Sequence, residues 1–193
     1  MLKEKRSRLE KINGIGASAL QYLFDEDNLK AAEKELNYIQ KNNIETLYFA
    51  DANYPEKLKH CIDAPILLFK EGNFELTNQP IISIVGTRKI TSYGRDFCEK
   101  LIADIAQYKP VIVSGFAYGV DICAHKAAIK NNLTTVGVLA HGFEEVYPKS
   151  HKKYISEMHK NGGFFTDFWH NDVLIRENFL KRNRVVAGIS EAT

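Results

Sequence analysis

The sequence predicts a Rossmann-like α/β domain, a doubly wound parallel sheet, preceded by a small helical module. Short apolar runs at 81–85, 111–113, 134–139 and 163–166 have the length of buried strands. Helical stretches at about 93–108, 120–131, 150–161 and 173–189 separate or follow them, so strand alternates with helix. Right-handed crossovers then make the strands parallel and cover the sheet on both faces. The first three runs each lead into a glycine, Gly86, Gly115 or Gly142, at the edge where such sheets hold ligands.

Upstream the pattern differs. Helices are expected at roughly 3–10, 17–24 and 29–42, the last with Leu29, Ala32, Leu36 and Ile39 on one face. Thr46–Phe49 reads as a short strand, and Tyr54-Pro55 precedes a helical turn. Ile66–Phe69 reads as an apolar strand, Glu71-Gly72-Asn73 as a turn and Thr77–Pro80 as a loop. The expected division is therefore a helical module with a linking segment over 1–75 and the Rossmann-like domain over 76–193.

A chain of 193 residues with 45% hydrophobic and 26% charged residues can bury one sizeable core, which excludes a disordered or fibrous class. The longest apolar run, Ile81–Val85, is too short to cross a bilayer, and Met1–Arg6 holds no apolar stretch for secretion. A cytoplasmic protein without a membrane segment is expected. Cys61, Cys98 and Cys123 are scattered, so neither a disulfide framework nor a metal site is expected. The net charge of +2 does not announce a polyanion partner, so the placement of the charges matters more than their sum. Lys149, Lys152 and Lys153 cluster with His151, and Lys181, Arg182 and Arg184 form a second cluster. Each such cluster is also what an ordinary solvated face looks like.

The strand ends carry the chemistry. Gly86-Thr87-Arg88 offers a sharp turn, a hydroxyl and a forked set of donors, which suits a phosphate, while a plain turn with a surface arginine fits equally well. Ser114-Gly115-Phe116-Ala117-Tyr118-Gly119 is a small-residue loop before a helix, the form of an anion nest. It matches neither the G-x-G-x-x-G nor the P-loop pattern, so no nucleotide cofactor is expected. Asp121 is placed to cap that helix, with His125 four residues on; a general-base pair and a local structural pairing are both open. Beyond Gly142, Tyr147 and Phe143 are candidates to stack a base, with Lys149 near for a phosphate; packing under the loop is the other reading for both aromatics. Arg182-Asn183-Arg184 can clamp a backbone, with Asn183 bonding nearby loops, or one arginine can bridge strand-end carbonyls instead. No nucleophile elbow, metal cluster or acidic magnesium pair accompanies these donors, so the pocket reads as a binding site rather than an enzyme's.

Taken in order, several segments resemble the DNA-processing protein A (DprA/Smf) family. They are Tyr54-Pro55, Asp63-Ala64-Pro65, Leu68–Gly72, Ile84–Arg88, Ser92-Tyr93-Gly94, Ser114–Asp121, Ala124-His125, Gly142, Tyr147-Pro148 and Arg182–Gly188. Any one is weak; the ordered set over roughly 54–190 is specific. The resemblance implies an extended Rossmann-like domain that binds single-stranded DNA, forms a homodimer in the full-length protein, and helps load a RecA-type recombinase during natural transformation. It implies that Gly86, Thr87 and Arg88 form the floor of a phosphate pocket, that the Ser114–Gly119 loop forms its wall, and that Lys149, Arg182 and Arg184 form its basic rim. Ile12-Asn13-Gly14-Ile15-Gly16 resembles the helix-hairpin-helix (SAM-like) module that such proteins often carry; a simple turn without DNA contact is the alternative. The family would continue past Thr193 into another apolar strand. A nucleotide-hydrolysing enzyme of the same architecture is the competing class, but the P-G-G-x-G-T motif of lysine-decarboxylase-like hydrolases is missing.

Overall fold

The computed structural model of the chain describes residues 6–76 and 78–193. Residues 1–5, which hold the start of the helix expected over 3–10 and most of the Met1–Arg6 segment, lie outside the described residues, as does Thr77 of the expected loop. Two compact units divide between Asn43 and Ile44.

The first unit contains α1 (Arg6–Leu9), α2 (Ala17–Leu23) and α3 (Glu26–Asn42). The Asp25 carboxylate accepts a bond from the Asp27 amide at 3.0 Å and caps α3, whose first turn carries Glu26 and Asp27 against the positive helix end. Asn43, in the left-handed region at φ 53°, ends the helix. The Gly14-Ile15-Gly16 turn lies between α1 and α2.

The second unit contains β1 (Glu45–Tyr48), α4 (Glu56–Lys59), β2 (Leu67–Gly72), β3 (Ile81–Ser83), α5 (Ser92–Ile105), β4 (Val111–Ser114), α6 (Val120–Lys130), β5 (Thr135–Val138), α7 (Lys152–Lys160), β6 (Gly162–Thr166) and α8 (Arg176–Gly188). One six-stranded sheet runs β1-β2-β6-β5-β4-β3. β3 to β6 are parallel, with Ile82 opposite Ile112, Ile112 opposite Thr135 and Val136 opposite Gly163. The last residues begin to pair with β3 on its other side, where the Ser83 amide donates to the Ala192 carbonyl at 2.9 Å.

The expected parallel sheet is present in β3 to β6, and β1 and β2 extend it antiparallel through β6, with Phe69 opposite Thr166. One expectation needs correction. The boundary expected at 75 falls instead after Asn43. The cause is burial: Tyr54, Leu58 and Leu68 share one apolar cluster with Val111, Val113 and Val138 of the parallel strands, so the segment over 44–75 is part of the sheet's core.

Alternation along the strands sorts the two faces. Val111 and Val113 face α4 and α8, packing with Leu58, Val185, Val186 and Ile189. Ile112 faces α5 and α6, packing with Cys98, Ile102, Ala124 and Ala128. Phe164 and Leu139 meet Met158 of α7 and Phe116. Alanines on the inner side of α6 let it lie close to the sheet, and the Thr91 hydroxyl caps α5 by accepting from the Gly94 amide at 3.1 Å. Among the described residues no helix is long and apolar enough to cross a membrane. The architecture brings the loops after β3, β4 and β5 and the start of α8 to one edge of the sheet.

Candidate functional site

The loop after β3 is seated directly on the start of α6. Gly119 precedes α6 at φ +81°, and a Cβ there would stand 2.0 Å from the Thr87 carbonyl oxygen. That carbonyl instead accepts the Val120 amide at 3.1 Å, while the Thr87 hydroxyl accepts the Lys89 amide at 3.1 Å. Gly86 lies against the Val120 side chain. Thr87 and Arg88 are thereby held exposed at the carboxyl edge.

The Arg88 guanidinium lies over the ring of Phe179, at 4.8 Å from its centroid. Phe179, from the first turns of α8, meets Tyr147 edge-on with centroids 5.7 Å apart. Arg88, Phe179 and Tyr147 form a row from the β3 loop across α8 to the β5 loop, and both aromatic residues are half-buried. The β5 loop is fixed from below: His141 Nε2 accepts the Tyr147 amide at 3.3 Å, and the Thr166 hydroxyl donates to the His141 carbonyl at 2.8 Å. The Tyr147-Pro148 peptide is cis.

The β4 loop is not an open anion nest. The Asp121 carboxylate folds back onto it, accepting the Ala117 amide at 3.3 Å with the Gly115 amide beside it. Burial pushes the Asp121 carboxyl above the usual carboxylate range, and the nearby Arg182 cation and these hydrogen bonds pull the other way. The loop amides are thus engaged from within the fold.

Several residues expected to line the pocket have structural roles instead. Arg182 is 4% exposed, and its guanidinium donates to the carbonyls of Gly115 and Val138 and to Asn183 Oδ1, so it bridges the ends of β4 and β5. Burial draws its pKa down while Asp121 opposes that shift. Arg184 donates to Asp167 Oδ2 at 2.6 Å and to the Asp63 carbonyl, tying α8 to the segments after β6 and α4. The buried Ser114 hydroxyl donates to the Ile84 carbonyl at 2.6 Å. Gly115 is packed against the Arg182 guanidinium, and Gly142 against the backbone of Trp169 and His170. Phe143 packs with Leu139, Met158 and Phe164. In each case neighbours inside the fold, whether backbone groups, apolar side chains or the Asp167 carboxylate, meet the residues that the sequence had offered to a ligand.

Asp121 and His125 do not pair with each other. His125 is fully buried and shares a 2.7 Å bond with the Thr135 hydroxyl, which itself donates to the Ile112 carbonyl at 2.9 Å. That chain makes Nδ1–H the donor. Burial above all, then the nearby His151 and Arg182, pushes the imidazole down to about 3. His151 Nδ1 meets the Phe116 carbonyl at 3.0 Å and joins the 149–151 turn to the β4 loop. Phe116 sits at φ 57° between the two imidazoles, with centroids 5.8 Å and 5.3 Å away. Lys149 and Lys152 flank His151 and are exposed. Among the described residues no group of His, Cys, Asp or Glu is arranged to hold a metal ion, and the three cysteines are free.

Sequence reasoning missed Phe179, whose apolar side chain in a helix reads as core, and the basic residues Arg95 and Lys126 beside Arg88. The signal available was Lys126 one residue past His125 on a helix whose opposite side is buried.

The sequence model of the family described as DNA recombination-mediator protein A matches residues 45–193. Protein Smf of Borreliella burgdorferi is 33% identical over 88% of this chain and 54% of its own length. DNA processing protein DprA of Streptococcus pneumoniae is 34% identical over 72% of this chain and 49% of its own. The chain therefore spans about half the length of these relatives. Among solved structures, DprA from S. pneumoniae superposes with a TM-score of 0.76 at 29% identity, covering 92% of this chain and 61% of that one. DNA processing protein A from Helicobacter pylori, described for its single-stranded DNA binding mode, gives 0.68 at 31% identity, covering 77% and 66%.

Proposed function

We propose, from the premise that this chain belongs to the DNA recombination-mediator protein A (DprA/Smf) family, that its second unit binds single-stranded DNA at the carboxyl edge of the sheet. The observation that carries this reading is the row Arg88, Phe179 and Tyr147, an exposed guanidinium beside two half-buried rings. A guanidinium makes paired charge-assisted bonds to a phosphodiester, and aromatic faces accept any unpaired base. Gly86, Thr87, Lys149 and Lys152 are the other exposed residues of the expected DNA-binding set and supply donors around it. The H. pylori relative, described for its single-stranded DNA binding, supports the same ligand.

The action is binding rather than bond breaking. His125 is sealed beneath the surface and held neutral, and Asp121 is occupied by loop amides, so neither reaches a substrate as a base. In the reading favoured here the protein acts in the cytoplasm, protects incoming strands during natural transformation and helps load a RecA-type recombinase, with homodimerisation in the full-length protein. Fluorescence anisotropy tests the core of the proposal. Labelled oligo-dT should bind more tightly than blunt duplex or mononucleotides, and affinity should fall with salt. Equal or tighter binding of duplex would refute it.

A further inference from the structure

A second basic groove lies beside the site, between the first turns of α5 and α6. Its volume is about 320 Å³, and Arg88, Lys89, Arg95 and Lys126 line it against one carboxylate, Glu99. The floor is apolar, from Ile90 and Ile122, and Tyr118 stands at its side 44% exposed. The two helices meet closely there, since the Cys123 thiol reaches the Arg95 carbonyl at 4.0 Å. Arg95 and Lys126 therefore rise from facing helices close to Cys123.

These cations have no internal employment of the kind that absorbs Arg182 and Arg184. Among the described residues none of Lys89, Arg95 and Lys126 has an ion pair, and all three are exposed. The groove is continuous with the first site because Arg88 lines both. At its far end Lys126 lies 5.8 Å from the ring centroid of Tyr154, and Lys153 lies 5.1 Å from the same ring. The charge thus continues past α6 to the basic segment that holds Lys149 and Lys152.

We infer that this groove carries the backbone of the same DNA strand after it leaves Arg88, with Arg95 and Lys126 contacting successive phosphates and Tyr118 offering a face to a base. The inference rests on the single-strand reading and extends it to a path. Unpaired cations on both walls match a polyanion, and the apolar floor matches the sugars between its phosphates. The cations extend beyond the groove itself, through Lys126 to Lys153 at the Tyr154 ring, which suits an extended polyanion better than a small ligand.

The path makes binding depend on strand length. An oligo-dT of about 4 nucleotides can occupy the Arg88 site alone, while one of about 20 can also fill the groove. In the full chain, the double variant Arg95→Ala with Lys126→Ala should bind the short strand as the parent does. It should bind the long strand about tenfold more weakly, with a log–log salt slope shallower by about 1.4, the value for two phosphates. Glu99→Gln, which removes the one opposing charge, should tighten the long strand only. If the double variant keeps the parent's long-strand affinity and salt slope, the groove is not on the path. If it weakens the short strand as much as the long, its charges act as a diffuse field and the path is likewise refuted. Failure of the parent protein to bind either strand would refute the single-strand reading itself, which keeps the two failures distinct.

Discussion

Arg88 and Phe179 meet face-on across two elements far apart in sequence, the guanidinium 4.8 Å from the ring centroid. The ring holds the fork in place without consuming its hydrogen bonds, which remain for a ligand. Arg88→Ala should weaken oligo-dT binding roughly ten- to a hundredfold, the loss of a charge-assisted bond worth about 1.5–3 kcal/mol. The melting temperature should stay nearly unchanged because the side chain is exposed. Arg88→Lys should restore only part of the affinity, since an ammonium lacks the fork. An Arg88→Ala protein that binds like the parent in anisotropy titrations would put the site elsewhere.

Arg182 should behave in the opposite way. Its removal strands the carbonyls of Gly115 and Val138 and leaves the Asp121 carboxylate without its buried counter-charge. Breaking such a partnership costs about 2–4 kcal/mol. Arg182→Ala should therefore lower the melting temperature by on the order of 10 °C. Calorimetry decides: an unchanged transition with weakened DNA binding would return Arg182 to the ligand.

Gly119→Ala should damage both fold and function. The backbone there has φ +81°, and the added carbon would meet the Thr87 carbonyl oxygen at 2.0 Å. A strained backbone of this kind costs about 1–3 kcal/mol before the clash is counted. The β3 loop must shift, carrying Arg88 with it. Circular dichroism melts should show the destabilisation, and anisotropy well below the transition should still show weakened binding. Parent-like values in both would mean that the loops are not interlocked.

His125 should make the fold acid-sensitive. Its imidazole is near 3 in the folded chain and about 6.5 when unfolded, so between those values the unfolded state binds the extra proton. Stability then rises with pH across that window, by about 1.4 kcal/mol per pH unit from this group. Between pH 7 and pH 5 the parent should lose on the order of 2 kcal/mol through His125. His151, also depressed, acts in the same direction, whereas the raised carboxyl of Asp121 acts against both. Urea unfolding of His125→Gln should show a shallower decline with acid than the parent. Equal slopes would exclude His125 as the cause.

The parallel strands and their helices were legible because each is a local signal, an apolar run or a helical repeat bounded by glycine. The antiparallel pair was legible as two strands, at Thr46–Phe49 and Ile66–Phe69, but not as members of the same sheet. β2 pairs with β6 almost a hundred residues later, and nothing local in Leu67–Gly72 announces that pairing. Hence the boundary expected at 75. At the site, sequence showed which residue types gather at the strand ends but not how the fold uses them. Arg182 and Arg184 look alike in the chain, and helix phase decides that one is buried under two strands and the other reaches Asp167. Asp121 and His125 suggest a pair by spacing, yet each finds a better partner in a neighbouring element.

The self-filled β4 loop also has a kinetic meaning. Asp121 holds the loop from within and His151 braces it through the Phe116 carbonyl, so the proposed docking of a strand should need no prior opening of the loop. Capture should then be a single encounter steered by the exposed cations. In stopped-flow mixing the observed rate should rise linearly with DNA concentration without reaching a plateau. Salt should slow that rate, whereas a protein that had first to open its loop would saturate at the speed of opening.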